Sequence, residues 1–330
     1  MIGVFGDPPR VGWRDGDEVI DLSELGEAFR QPSLNALMAQ GRDAWEQVVR
    51  EHDGPRTPLA GVRMHVPFDV ADYVDFNSSL EHATNVGRLL RPGSDPVAPS
   101  WRRLPVGYHG RAGTVVVSGT DVVRPRGQID PPETVYAPTR KLDFELELGF
   151  VVGVPGRGPI SVDAFAEHVF GVVLVNDWSA RDIQAYEYVP LGPFLGKSFQ
   201  TSISAWVTPL SLVRRTQAPP QEPPPLAHLA GGRDWALDVD LEVERNGEVI
   251  TRGNARTLYW TMPQQLAHAT SNGASVRTGD LFATGTISGT APGTYGSLLE
   301  TDGPYLDDGD EVVLRGTGLG EVRGRVQAAL

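Results

Sequence analysis

Four carboxylates in this sequence stand where a carboxylate is costly. Glu145 and Glu147 lie in Lys141-Leu-Asp-Phe-Glu-Leu-Glu-Leu-Gly-Phe-Val-Val152, Asp177 ends the apolar run Val169–Asn176, and Asp75 sits in Val74-Asp-Phe76. The first stretch alternates as a strand does. Leu142, Phe144, Leu146, Leu148 and Phe150 face one way, while Asp143, Glu145 and Glu147 face the other. Carboxylates at two-residue spacing on one strand face lie about 7 Å apart and repel. Two readings are open: a solvated acidic face, or a set of ligands gathered by a divalent cation. Oxygen-only ligands fit magnesium, calcium or manganese better than zinc. Lys197 and Arg181 are the nearest candidates to offset the excess negative charge.

His82 supplies a different chemistry. It falls in the first turn of a helix predicted over Leu80–Leu90, capped by Ser78 or Ser79. The partial positive charge of a helix N-terminus keeps an imidazole neutral, as a general base must be. The alternative is a core histidine sharing a face with Val86 and Leu89. A metal, a base and cationic donors without a nucleophilic side chain suit metal-assisted attack of water on a carbonyl.

The elements that must position these groups are mostly strands. Residues 1–65 read as short strands broken by Gly, Pro and Asp, with one amphipathic helix after Pro32 (Leu34, Leu37, Met38, Trp45). This predicts a small β-rich N-terminal domain, followed by a second domain over 66–330. In the second, Val169–Asn176 reads as a strand buried on both faces. Arg181–Tyr188 reads as a helix, and Pro190–Phe199 as a Gly/Pro loop presenting Lys197. Ala236–Arg245 alternates as a strand before the hairpin turn Asn246-Gly247. Thr261–Ser271 reads as a helix. Leu281–Thr290 is a strand entering a Gly/Ser/Thr loop, and Asp310–Leu314 and Gly320–Val326 are closing strands.

Composition narrows the possibilities. The 330 residues are 40% hydrophobic, enough for a large core, and carry a net charge of −13. Such a surface repels nucleic acid and anionic membranes. The sequence has no cysteine, which removes disulfides, thiolate catalysis and Cys-ligated metals from consideration. No signal-like leader is visible, and the longest apolar stretch, Val169–Val175, is too short to span a bilayer. The expectation is a cytoplasmic protein.

Several runs together resemble the fumarylacetoacetate hydrolase family. They are Asp75-Phe-Asn-Ser-Ser-Leu-Glu-His-Ala-Thr-Asn-Val-Gly87, Leu104-Pro-Val-Gly-Tyr-His-Gly-Arg-Ala112 and Leu142-Asp-Phe-Glu-Leu-Glu147. Asn176-Asp-Trp-Ser-Ala-Arg-Asp-Ile-Gln184 with Gly192-Pro-Phe-Leu-Gly-Lys-Ser-Phe199 is more specific. Gly285-Thr-Ile-Ser-Gly289 and Gly296-Ser-Leu-Leu-Glu300 complete the pattern, which spans about residues 70–330.

The resemblance implies a mainly β (α+β) protein: a mixed β-sandwich roll catalytic domain behind a small SH3-like N-terminal β domain, assembled as a homodimer. It implies hydrolysis of the carbon–carbon bond of 4-fumarylacetoacetate to fumarate and acetoacetate, the last step of tyrosine and phenylalanine breakdown. Asp75, Glu145, Glu147 and Asp177 would bind the main divalent ion, calcium or magnesium, with manganese a third candidate. Asp177, Lys197 and Thr201 match second-ion or structural positions. His82 would activate water, oriented by Glu300. Arg181, Gln184 and Lys197 would stabilise an oxyanion, and Arg91, Tyr108, Tyr188 and Thr286 match substrate-contacting positions. Asn77 stands where the family usually has Tyr, which bears on specificity. Gln200 replaces a Gly near the second ion. Two rival readings are an acylpyruvate hydrolase or oxaloacetate decarboxylase of the same superfamily, and a catalytically silent metal-binding scaffold.

Overall fold

The apolar face that begins at Leu142 lies at the centre of the molecule. A computed structural model describes residues 1–90, 93–130, 132–301 and 303–330. Leu142, Phe144, Leu146, Leu148 and Phe150 enter one core with Val172 and Leu174 of the neighbouring strand. Leu241, Val243, Val312, Leu314 and Val322 reach the same core from a second sheet. The fold is therefore two sheets closed over a shared interior, as alternating strands require when each must bury one face. The first sheet has twelve strands and the second five.

The opposite face of the large sheet is also covered. Val151, Phe170, Val173 and Val175 pack there with Leu37, Met38, Trp45 and Val48 of the N-terminal region. Two helices, Asn35–Met38 and Arg42–Arg50, stand where the sequence predicts one. The break falls at Gly41, whose φ of 88° no helix accommodates. The strands Ile2–Phe5, Arg10–Asp15, Glu18–Asp21 and Arg56–Pro58 form an antiparallel meander, and Ile2–Phe5 pairs with Trp206–Pro209 of the main sheet.

The acidic stretch is not one continuous strand. Leu142–Asp143 pairs with Ser179–Ala180, and Leu146–Val152 pairs with Val169–Asp177. The interruption at Phe144 and Glu145 has a cause: the Glu145 N–H donates to the side chain of Asn176 at 3.1 Å in place of a ladder partner. Ala236–Arg245 is likewise divided, into Ala236–Leu237 and Asp240–Arg245. The turn Asn246-Gly247 joins the latter to Glu248–Asn254 with φ of 54° and 85°, as a tight hairpin requires.

The topology gathers the polar groups at one sheet end. Tyr73–Phe76 runs parallel to Leu281–Ala283, with Asp75 opposite Ala283, and antiparallel to Gly107–His109, with Asp75 opposite Tyr108. Leu281–Ala283 is antiparallel to Leu146–Val152, which is antiparallel to Val169–Asp177. Asp177 in turn lies opposite Thr201. The ends of two strands and the starts of two others thus coincide, and Asp75, Glu147, Asp177 and Thr201 meet there.

Candidate active site

Asp75, Glu145, Glu147 and Asp177 each offer an oxygen within 4.8 Å of the others. All four are buried, and this rules out the solvated acidic face. Burial and the neighbouring Asp177 push the Asp75 carboxyl well above the usual range. Burial and the charges of Asp75, Glu145 and Asp177 do the same to Glu147. Glu145 behaves differently: against its burial, Lys197 and Arg181 hold its carboxyl well below that range. Asp75 Oδ1 and Glu147 Oε1 are buried without a hydrogen-bond partner. Buried polar atoms ordinarily have one. Orphaned oxygens on mutually repelling acids fit a hard divalent cation, which takes carboxylate oxygens.

Two cations brace the cluster. The Lys197 ammonium contacts Glu145 and donates to Asp177 Oδ2 at 2.6 Å. Burial alone would deprotonate Lys197, but Asp177 and Glu145 outweigh it and hold the amine protonated. Arg181 donates from Nε to Asp143 Oδ2 at 2.9 Å, and pairs through one Nη with Glu145 Oε1 at 2.7 Å. The same nitrogen reaches Gln184 Oε1 at 3.2 Å, while Arg181 Nη2 is buried and unpartnered. Thr201 donates to Asp177 Oδ1 at 2.9 Å, and Tyr108 donates to Oδ2 at 3.3 Å. Gln200 turns to Ser202 at 3.4 Å.

His82 stands in the first turn of Leu80–Leu90, its N–H donating to Ser79 Oγ at 3.2 Å, so Ser79 is the cap. Leu89, which the core-histidine alternative would bury, is 56% exposed, and Val86 lines the same cavity as His82. The His82 Nδ1 lies 2.8 Å from Glu300 Oε2. Glu300 also accepts from Asn85 at 2.9 Å, Ser288 at 2.7 Å and Ser297 at 2.9 Å. Burial would raise the Glu300 carboxyl, yet His82 and these donors hold it at about 2. With Nδ1 engaged, Nε2 is the nitrogen left for a ligand.

The cavity in front of these groups has a volume of about 730 Å³. Asp75, Glu145, Glu147, Arg181 and Lys197 form its acidic end, with Asn77, His82, Tyr108, Gln184, Tyr188 and Thr286 also in its lining. Asn77 Oδ1 is buried and unpartnered. Arg91, expected at the substrate, lies outside the described residues. Behind the floor, Gly285 donates its N–H to Glu147 Oε2 at 3.2 Å. Its φ is 78°, and a Cβ there would stand 2.1 Å from the Phe76 carbonyl oxygen, so only glycine allows this loop to approach.

Sequence reasoning missed the support shell. Asp143, on the acidic face but not a member of the cluster, accepts from Arg181 and from the N–H groups of Leu298 and Leu299 at 2.8 and 3.0 Å. It thereby fixes the short helix Leu298–Glu300 that carries the partner of His82. Asn85, Ser288 and Ser297 carried no distinguishing pattern beyond their place in the quoted runs. Tyr73, fully buried with an unpartnered hydroxyl beside the cluster, carried none at all.

A buried oxygen cluster suited to a divalent cation, lining one cavity with a carboxylate-oriented histidine, fits one class: an enzyme site for metal-assisted hydrolysis. The comparisons are specific about the family. The model of the fumarylacetoacetate hydrolase C-terminal domain matches residues 73–327. Fumarylacetoacetase of Arabidopsis thaliana is 44% identical, over 95% of this chain and 88% of its own length. The Homo sapiens fumarylacetoacetase is 41% identical, over 99% of this chain and 95% of its own. Among solved structures, the fumarylacetoacetate hydrolase of Exiguobacterium antarcticum superposes with a TM-score of 0.69 at 20% identity, covering 99% of this chain and all of that one. This chain belongs to the fumarylacetoacetate hydrolase family.

Proposed function

We propose that this protein hydrolyses 4-fumarylacetoacetate to fumarate and acetoacetate. The observation that carries the reading is that His82, held by Glu300, lines one cavity with Asp75, Glu145 and Glu147 of the four-carboxylate cluster. Fumarylacetoacetases aligned over nearly the full chain support it.

His82 Nε2 takes a proton from water while Glu300 holds the ring and stabilises the imidazolium. The water oxygen adds to the carbonyl carbon of the fumaryl group. The bond to the acetoacetate carbon then breaks, the electron pair leaves with that carbon, and a proton completes acetoacetate. Arg181 Nη2, Gln184 and Lys197 are the donors for the oxyanion, where losing one donor costs about 10²–10³ in rate. Asp75, Glu145, Glu147 and Asp177 would hold the cation, magnesium or calcium, with manganese a third choice. When bound, the cation supplies Lewis-acid stabilisation of diketone and enolate oxygens. Tyr108, Tyr188, Thr286 and Arg91 contact the substrate.

The reading extends to tyrosine and phenylalanine catabolism, to a cytoplasmic location and to a homodimer. No described helix is long and apolar enough to cross a membrane. Residues 1–65 are read as a small N-terminal domain and 66–330 as the catalytic one. The start of the family match at residue 73 supports that division. The Asn77 departure favours one second reading, an acylpyruvate hydrolase. Loss of diketone absorbance with fumarylacetoacetate, an acylpyruvate and oxaloacetate in parallel separates them. Fumarylacetoacetate is the expected best substrate. A wide preference for either of the others overturns the assignment.

A further inference from the structure

The substrate brings a charge problem to the cavity. A substrate with a carboxylate at each end must enter a protein of net charge −13 and settle against an acidic floor. Four lysine or arginine side chains line the cavity among the described residues: Arg140, Lys141, Arg181 and Lys197. Arg181 and Lys197 are buried and already paired with Asp143, Glu145 and Asp177. Arg140 and Lys141 are exposed, and among the described residues no carboxylate pairs with either side chain.

Their backbone is nevertheless fixed. The Arg140 N–H donates to Asp182 at 2.8 Å, the Lys141 N–H donates to Thr139 Oγ1 at 3.1 Å, and the Lys141 carbonyl accepts from the Arg181 N–H at 2.9 Å. The Lys141 ammonium lies 5.9 Å from the ring centre of Tyr305, which also lines the cavity. Two adjacent cations are therefore anchored at the stem on the exposed rim of a pocket with an acidic end; Asp130 and Asp182 line it too, but their carboxylates accept from Thr134, Thr139 and the Arg140 N–H. A cation without a carboxylate partner is available to a carboxylate that reaches it.

We infer that Arg140 and Lys141 form a rim subsite for the carboxylate on the enoyl arm of the substrate, the end that projects away from the acidic floor. This rests on the proposed hydrolase reading. The pair selects for a second carboxylate and takes no part in bond cleavage.

The experiment compares fumarylacetoacetate with acetylacetoacetate, the diketo acid in which a methyl group replaces the carboxyvinyl arm. Exposed charge contacts are individually modest, so Arg140→Gln and Lys141→Gln should each lower kcat/KM for fumarylacetoacetate by about threefold, and the double variant by about tenfold. The loss should fall on KM and shrink at high salt. Acetylacetoacetate turnover should stay within about twofold, which also shows that the variants fold. Equal losses on both substrates, or none on either, overturn the rim subsite and leave the hydrolase reading standing. A parent protein that cleaves neither substrate overturns the hydrolase reading, and the subsite with it.

Discussion

Glu300 holds His82 through a 2.8 Å contact to Nδ1, although the two residues are 218 positions apart in sequence. Glu300 has no exposed side-chain surface and accepts three further hydrogen bonds, so the histidine ring has little freedom to turn. Replacing His82 by Gln should lower kcat by about 10²–10⁴ with cation binding unchanged. Glu300→Gln should lower it in the same direction. Near-normal turnover of His82→Gln, measured on folded protein, would place the base elsewhere.

The Glu300 carboxyl also sets a pH dependence of stability. Its value in the folded protein is about 2, against an ordinary 4.5. The ionised form is therefore favoured by folding. Its stabilisation is fully present above pH 4.5 and is lost as pH falls through about 2. The Tm difference between the parent and Glu300→Gln should be constant at neutral pH and should close across that window. A difference that grows on acidification would contradict the assignment.

The acidic cluster predicts a thermal response. Repulsion among Asp75, Glu145, Glu147 and Asp177 is relieved by a bound cation, and a ligand that binds only the folded state raises Tm with its concentration. Magnesium, calcium or manganese added to chelated protein should raise Tm. Glu147→Gln should remove most of the rise, because Glu147 Oε1 has no other partner. An undiminished rise in that variant would show that the ion binds elsewhere.

Asp143 should matter more than its absence from the cluster implies. It neutralises the buried Arg181 and accepts both amides at the start of Leu298–Glu300. Asp143→Ala leaves a buried guanidinium short of a partner, a loss of about 3–5 kcal/mol. Denaturant unfolding checks the stability, and turnover of the surviving fraction should fall because Glu300 loses its support. A change below about 1 kcal/mol would be the size of an ordinary surface substitution and contradict this role.

Legibility in the sequence followed locality. The alternation from Leu142 to Phe150 marked the core face correctly because period two is a property of neighbours. The Ser79 cap and the place of His82 in the first turn were equally local. The break at Glu145 was not, because the Asn176 side chain that causes it lies 31 residues away. The linkage of Asp143 to Leu298 spans 155 residues and had no local trace. The Glu300 partnership was legible only through family resemblance. The polarity of Glu145 and Glu147 read equally well as a solvated face or a ligand set, and burial decided between them.

Asn77 should govern grip more than chemistry. Asn77 lines the cavity, and its side chain is shorter than the Tyr usual at this place. Asn77→Tyr should lower KM for fumarylacetoacetate about threefold to tenfold, the effect of one neutral hydrogen bond, with kcat little changed. Steady-state kinetics give both constants. A raised KM would mean that the site fits a smaller substrate.

The most direct test counts products. Purified protein, stripped of metal and then supplied with magnesium, calcium or manganese, is given fumarylacetoacetate, and fumarate and acetoacetate are quantified. The account predicts no turnover without a cation, and equimolar fumarate and acetoacetate once one is restored. Full turnover by protein whose metal content is nil, or consumption of the substrate without the paired products, would contradict it.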